Sequence, residues 1–347
     1  MYQIKYSYYP LNFIRPAGTS RGVLKIKKSW LLFLNKVQNP EIVGTGEVSI
    51  IDQLSIDDLP NLEEVIKEIC EKINASGQLP NSKSLEKYPA IRFAIEMAQL
   101  DLENGGEKIL FESNFTKGNS PIPFNGLIWM GDENFMMEQI KSKLAENCKC
   151  IKIKIGALDF EKEWKILKFL RTQYNENELE IRVDANGAYN KENVFKILEK
   201  LAELKIHSIE QPVKQGNWDL MKTVCAKSKV PVALDEELIG INDYEEKKKM
   251  LEFIQPPYII LKPSLLGGFQ QADEWIEIAE KLNIAWWATS ALESNIGLNA
   301  IAQWIGQKDF YLPQGLGTGK LYDNNIDSPL YSKASMMYFD RDKKWGI

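Results

Sequence analysis

CIKIKIG, residues 150–156, puts lysines on one side of an extended chain and isoleucines on the other. A helical stripe, FEKEWKILKFLRTQY (160–174), follows it, and the same order then recurs. IRVDANG (181–187) precedes KENVFKILEKLAEL, and HSIEQP (207–212) precedes WDLMKTVCAKS. PVALDEE (231–237) precedes DYEEKKKMLEF, and YIILKPS (258–264) precedes FQQADEWIEIAEKL. Each apolar run closes on a charged residue: Lys154, Asp184, Glu210, Asp235 and Lys262. These recur roughly every 25–30 residues, the length that a strand, a loop, a helix and a return loop consume in a parallel barrel. Both faces of such strands are covered, so the isoleucines belong to the helix layer and Lys152 and Lys154 to the barrel interior.

Outward from this block, IPFNGLIWM (122–130) and the helix ENFMMEQIKSKLAEN begin the alternation. IAWWATSA (284–291) and the apolar stretch before LPQGLGT (312–318) bring the strands to eight. The expected fold is α/β, a (β/α)8-type TIM barrel over residues 121–320. Upstream, YQIKYSYY, GVLKIKKSWLLFL and GTGEVSI read as strands, and residues 55–105 as helices. Strands followed by helices imply an N-terminal α+β capping domain over 1–120, completed by residues 321–347 packing back on it. GTGE (44–47) reads as a turn between strands. Lys25-Ile26-Lys27 repeats the K-x-K pattern in a hairpin, where both lysines are expected to face water. GLGTGK (315–320) is not a phosphate loop, because Gln314 and Leu321 stand where that motif needs Gly and Ser or Thr.

Composition narrows the function. The 347 residues are 44% hydrophobic and 26% charged, with a net charge of −5. No basic stripe marks a nucleic-acid partner. No run approaches transmembrane length and the start lacks the apolar core of a signal peptide, so a cytoplasmic protein without a membrane partner is expected. One histidine, His207, and 4 cysteines at irregular spacing leave little for a zinc site or a Ser-His or Cys-His nucleophile.

The strand-end residues carry the chemistry. Asp184, Glu210 and Asp235 converge on one mouth and would repel one another unless a cation sits between them. Oxygen-only ligation favours a hard ion, Mg2+ first and Mn2+ second. Asp235-Glu236-Glu237 offers three neighbouring acids, of which Asp235 closes the strand; Asn186 and Glu236 stand beside the ligands. Lys152 and Lys154 on one side, and Lys262 on the other, are candidate bases. An ammonium beside Mg2+ and another lysine is disfavoured, which would bring Lys262 toward the range useful for a base.

This combination resembles the enolase superfamily, in its lysine-using, muconate-lactonizing-like branch. The likeness rests on K-x-K at 152–154, Asp184, Glu210, Asp235 and Lys262, and on RPAGTSRG (15–22), IPFNGLIW (122–129), LKPSLLGG (261–268) and TSALESNIG (289–297). It implies a small-molecule carboxylate substrate and an Mg2+-assisted removal of the proton α to that carboxylate, with Lys154 as the base. The particular outcome implied is dehydration of 2-succinyl-6-hydroxy-2,4-cyclohexadiene-1-carboxylate to 2-succinylbenzoate in menaquinone biosynthesis. The same lysines also suit an N-acylamino acid racemase or dipeptide epimerase, and a barrel that binds metal or ligand without catalysis is a third reading. By the resemblance, Ser264, Ser290, Glu293 and Ser294 would line the substrate wall. Arg15 and Arg21 would belong to a lid over the mouth.

Overall fold

The computed structural model describes residues 1–347 except Ser20, Arg21 and Leu158 and the side chain of Thr19. The N-terminal part pairs β1 (Tyr2–Tyr8), β4 (Ser29–Lys36) and β5 (Asn39–Ser49) in one antiparallel sheet, in the order β1-β4-β5. α1 (Leu62–Ser76) and α2 (Pro89–Glu103) cover one face of it. Ile4, Trp30, Leu32, Leu34 and Val48 meet Ile66, Ile73, Ala94 and Ala98 in the core between them. GTGE is not a turn but part of β5. A side chain at Gly44 or Gly46 would put its Cβ 1.9 Å from the carbonyl oxygen of Ala98 or Ala94, so the two glycines let α2 lie directly on the strand.

A separate hairpin, β2 (Leu11–Thr19) with β3 (Gly22–Lys27), leaves this sheet and overhangs the barrel mouth. Leu11, Phe13, Ala17 and Leu24 pack there against Trp129, Leu292 and Tyr322.

The barrel strands are β7 (Gly126–Ile128), β8 (Cys150–Lys154), β9 (Glu180–Asp184), β10 (Ser208–Glu210), β11 (Val232–Leu234), β12 (Tyr258–Leu261) and β13 (Ala285–Ala288). All are parallel and paired in sequence order. The intervening helices are α3 (Glu133–Ala145), α4 (Phe160–Gln173), α5 (Val194–Glu203), α6 (Trp218–Lys227) and α7 (Tyr244–Ile254). The short α8 (Pro263–Leu266), α9 (Phe269–Lys281) and α10 (Asn295–Ile305) follow. The eighth strand is reduced to Gln314 and Gly315. Gln314 N donates to Pro123 O (2.8 Å) and Gly315 N to Ala288 O (2.7 Å), which closes the ring between its first and last members. The apolar stretch before LPQGLGT, expected as a strand, is instead α10, and LPQGL itself completes the barrel.

IPFNGLIWM also divides, into β6 (Ile122–Pro123) and β7. β6 pairs with the C-terminal hairpin β14 (Leu330–Lys333) and β15 (Met336–Phe339), in the order β14-β15-β6. Nearer the mouth, the Asn324 side chain accepts from Asn12 N and donates to Pro10 O, tying the final segment to the β2–β3 hairpin. Among the described residues no helix is long and apolar enough to cross a membrane.

Candidate active site

Register places the charged residues. Lys154, Asp184 and Glu210 are direct neighbours across β8, β9 and β10. Glu210 then aligns with Ala233, and Leu234 with Ile259, so Asp235 stands two residues further up the mouth than Glu210, and Lys262 two further again. That climb is the stagger of a closed barrel. The alternation within CIKIKIG is realised: Ile151, Ile153 and Ile155 are buried in the core shared with the helices, while Lys152 and Lys154 line the central cleft. One layer below, Arg182 lies over Trp287 at 4.2 Å and plugs the barrel interior. His207 sits at the opposite end of β10, stacked on Tyr258 and 3.0 Å from Ser208 Oγ, away from the mouth.

The ammonium groups interleave with the carboxylates. Lys152 Nζ donates to Glu210 Oε2 (2.8 Å) and Asp184 Oδ2 (3.2 Å), and Lys154 Nζ to Asp184 Oδ2 (2.9 Å) and Asn186 Oδ1 (2.7 Å). Lys262 Nζ donates to Asp235 Oδ2 and lies 4.0 Å from Glu210 Oε1. Asn186 is held in turn by its Nδ2, which donates to Glu236 Oε1 at 3.0 Å. All three carboxylates are at most 2% exposed.

Burial opposes the charges of Asp184, Glu210, Lys152 and Lys262, and the neighbours decide the outcome. Burial would raise Asp184, but the Lys154 and Lys152 ammoniums override it and hold the carboxyl well below the usual range. Glu210 goes the other way: burial, reinforced by the negative charge of Asp184, pushes it up to about 8. Burial also works against the Lys152 and Lys262 ammoniums, yet Glu210 and Asp184 raise the first and Asp235 and Glu210 raise the second. The lowering expected of Lys262 belongs to the site with Mg2+ bound; without an ion the carboxylates prevail.

Among the described residues, no three Asp, Glu, His or Cys side chains are gathered closely enough to hold an ion as they stand. The lysines intervene between the acids. The donor set still suits a hard divalent cation, being three carboxyl, oxygen-only groups at adjoining strand ends. Glu210 Oε1, moreover, is buried without a hydrogen-bond partner.

The cleft is lined by Lys152, Lys154, Asp184, Asn186 and Lys262 at its floor. Leu24 of the hairpin, Ile51 and Leu54 of the N-terminal domain, and Trp129 close its apolar side. Sequence reading did not single these out, because an isolated apolar residue in a loop carries no periodic signal. Thr289 and Thr318 were missed as well, and Thr289 Oγ1 is buried without a partner.

Of the residues named for the substrate wall, Ser290 lines the cleft. Ser264, Glu293 and Ser294 are fully buried behind it. Arg15 is exposed on β2, outside the cleft lining, and Arg21 lies outside the described residues. Lys27 departs from its expected place in solvent. It is 3% exposed and donates to Ser49 Oγ, whereas Lys25 is exposed as expected.

An antiparallel capping domain over a parallel β/α barrel, with lysines and carboxylates alternating at the strand ends, defines an enolase-type enzyme. The chain belongs to the enolase superfamily: residues 136–319 match the Enolase C-terminal domain-like family. It is 44% identical to an o-succinylbenzoate synthase from Desulfotalea psychrophila, over 94% of this chain and 96% of that protein. The crystal structure of MenC from the same organism superposes with a TM-score of 0.86 at 40% identity, covering 97% of this chain and 99% of the other. An L-Ala-D/L-Glu epimerase from Francisella tularensis subsp. novicida is 24% identical over 86% of this chain and 82% of its own. Superfamily members of this kind use a divalent metal, generally Mg2+.

Proposed function

We propose that this chain acts as an o-succinylbenzoate synthase, converting 2-succinyl-6-hydroxy-2,4-cyclohexadiene-1-carboxylate to 2-succinylbenzoate and water, a step of menaquinone biosynthesis in the cytoplasm. The observation that carries the reading is the near-full-length similarity to a synthase, joined to two lysines facing each other across the mouth.

Lys154, as the neutral amine, takes the proton on the carbon α to the ring carboxylate. Lys152 and Lys262 remain ammonium ions, favoured by the carboxylates around them, and counter the negative charge that develops. The ammonium formed on Lys154 then gives its proton to the departing β-hydroxyl, which leaves as water. The ring becomes aromatic, so the elimination is downhill once the α-proton is lost. Asp184, Glu210 and Asp235 would hold Mg2+, with Mn2+ as a substitute, and the bound ion would supply positive charge beside the substrate carboxylate. Leu24, Ile51 and Trp129 exclude water from the reacting face.

The opposed lysines also suit a racemase, in which one removes and the other returns the proton at Cα of an N-succinyl amino acid. Purified protein with Mg2+ should form 2-succinylbenzoate, followed by its absorbance. Failure to convert the cyclohexadiene, with deuterium uptake into an N-succinyl amino acid instead, would give the site to the racemase.

A further inference from the structure

Behind the cleft wall lies a second buried charged cluster that the reaction above does not use. Glu293 is fully buried and accepts one hydroxyl hydrogen bond on each oxygen, from Ser264 Oγ and Ser290 Oγ, both at 2.5 Å. Glu47 of β5 is buried beside it at the start of α10. It accepts from Ser29 Oγ (2.7 Å), Ser294 N (2.9 Å), Ser294 Oγ (2.6 Å) and Gly297 N (3.0 Å). Lys27, at the base of the overhanging hairpin, is buried near both acids and donates to Ser49 Oγ of β5, with Asp52 as a further acidic neighbour. The two carboxylates and the lysine thus form one buried electrostatic cluster, in which burial works against the Lys27 charge and Glu293 and Glu47 favour it. Besides Lys27 and Glu47, the titratable group facing Glu293 from the elements packed on it is Tyr322, whose hydroxyl donates to Leu292 O.

The cluster reaches the cleft through Ser290. A hydroxyl has one proton and two acceptor sites. The Ser290 proton goes to Glu293, and its oxygen accepts from Thr318 Oγ1 (2.9 Å) and Leu292 N (3.1 Å). Leu292 holds a left-handed φ of 65°, a strained setting for leucine that this network over-determines. Ser264, the other hydroxyl on Glu293, lies two residues beyond Lys262. Were Glu293 to carry a proton, it would have to donate to one of the serines. One hydroxyl would then turn away and the wall would change its hydrogen-bonding pattern.

We propose that Lys27 and Glu293 are positioning residues: Lys27 counters the charge of Glu293, and Glu293 orients Ser290 on the wall and Ser264 behind Lys262, so that the hairpin over the mouth sets the wall against which the non-reacting succinyl tail docks. This deepens the synthase reading and rests on it. Burial already raises the Glu293 carboxyl, with Lys27 the chief opposing influence. Removing Lys27 therefore raises the Glu293 carboxyl further.

The test compares the wild-type enzyme with Lys27→Met, Glu293→Gln and the double variant, all with Mg2+. Wild-type turnover is measured first, and its absence would strike the synthase reading, in which case the variants are compared by calorimetric binding of 2-succinylbenzoate. Each single variant should raise KM, or the product's Kd, about tenfold while kcat changes by less than about threefold, as expected for a disturbed wall outside the reacting groups. Lys27→Met alone should add an acid limb to the pH profile of kcat/KM, and the double variant should lose that limb while keeping the raised KM. A wild-type KM and profile in Lys27→Met, or an acid limb that persists in the double variant, overturns the proposal. Should Lys27→Met fail to fold, the double variant, which removes both charges, decides: a wild-type KM there overturns it equally.

Discussion

Lys154 and Lys262 stand on opposite sides of the barrel mouth, four strands apart in a ring of eight, with Asp184, Glu210 and Asp235 on the strands between them. A planar carboxylate above the acids would present one face to each lysine. That relationship, rather than any single residue, defines the chemistry available.

Chelation tests the role given to the acids. EDTA should reduce turnover to background and Mg2+ should restore it. In Asp235→Asn, which also removes the partner of Lys262, the Mg2+ concentration for half-maximal activity should rise about tenfold or more. Full activity in EDTA would contradict a metal role for this site.

Lys262→Met should leave substrate deprotonation possible but less favoured, because one ammonium facing the developing charge is lost. The expected fall in kcat is about 10²–10³-fold, the scale of removing one electrostatic donor. Unchanged kcat would remove Lys262 from the reaction.

Stability should depend on pH through Glu96, which ties the N-terminal domain to the barrel by accepting from Phe269 N (2.6 Å) and Gln270 N (3.1 Å). Burial raises its carboxyl from 4.5 to about 7. Between those values the folded protein holds a proton that the unfolded chain has released, so stability falls as pH rises through the window. Thermal melts across it should show a shallower pH slope for Glu96→Gln than for wild type. Equal slopes would contradict this assignment.

Gly46→Ala should destabilise the N-terminal domain, because its Cβ would meet Ala94 O at 1.9 Å. The expected cost is roughly 1–3 kcal/mol or more, read as a lowered Tm. A wild-type Tm would show that α2 can shift off β5 freely.

What could be read from sequence follows from how local each signal is. Lys152 and Lys154 were legible because strict alternation on a strand covered on both faces leaves them one direction to point. The acids were legible because their spacing repeats. Lys27 was misread, since the acids that favour its charge where it is buried are Glu293 and Glu47, and Glu293 lies far along the chain. GTGE was misread for the same kind of reason: its glycines answer to α2, not to a turn. The closing strand was displaced because two residues, Gln314 and Gly315, are too few to show a period. Ser264 and Ser294 looked like wall residues, yet their hydroxyl protons go to Glu293 and Glu47.

The most direct test of the opposed-lysine site is the turnover of Lys154→Ala, measured on protein whose circular dichroism and melting match wild type. The predicted result is a loss of about 10²–10⁴-fold or more in kcat, the contribution of a positioned general base. A rate within about threefold of wild type, too small a change for loss of that base, would contradict the account.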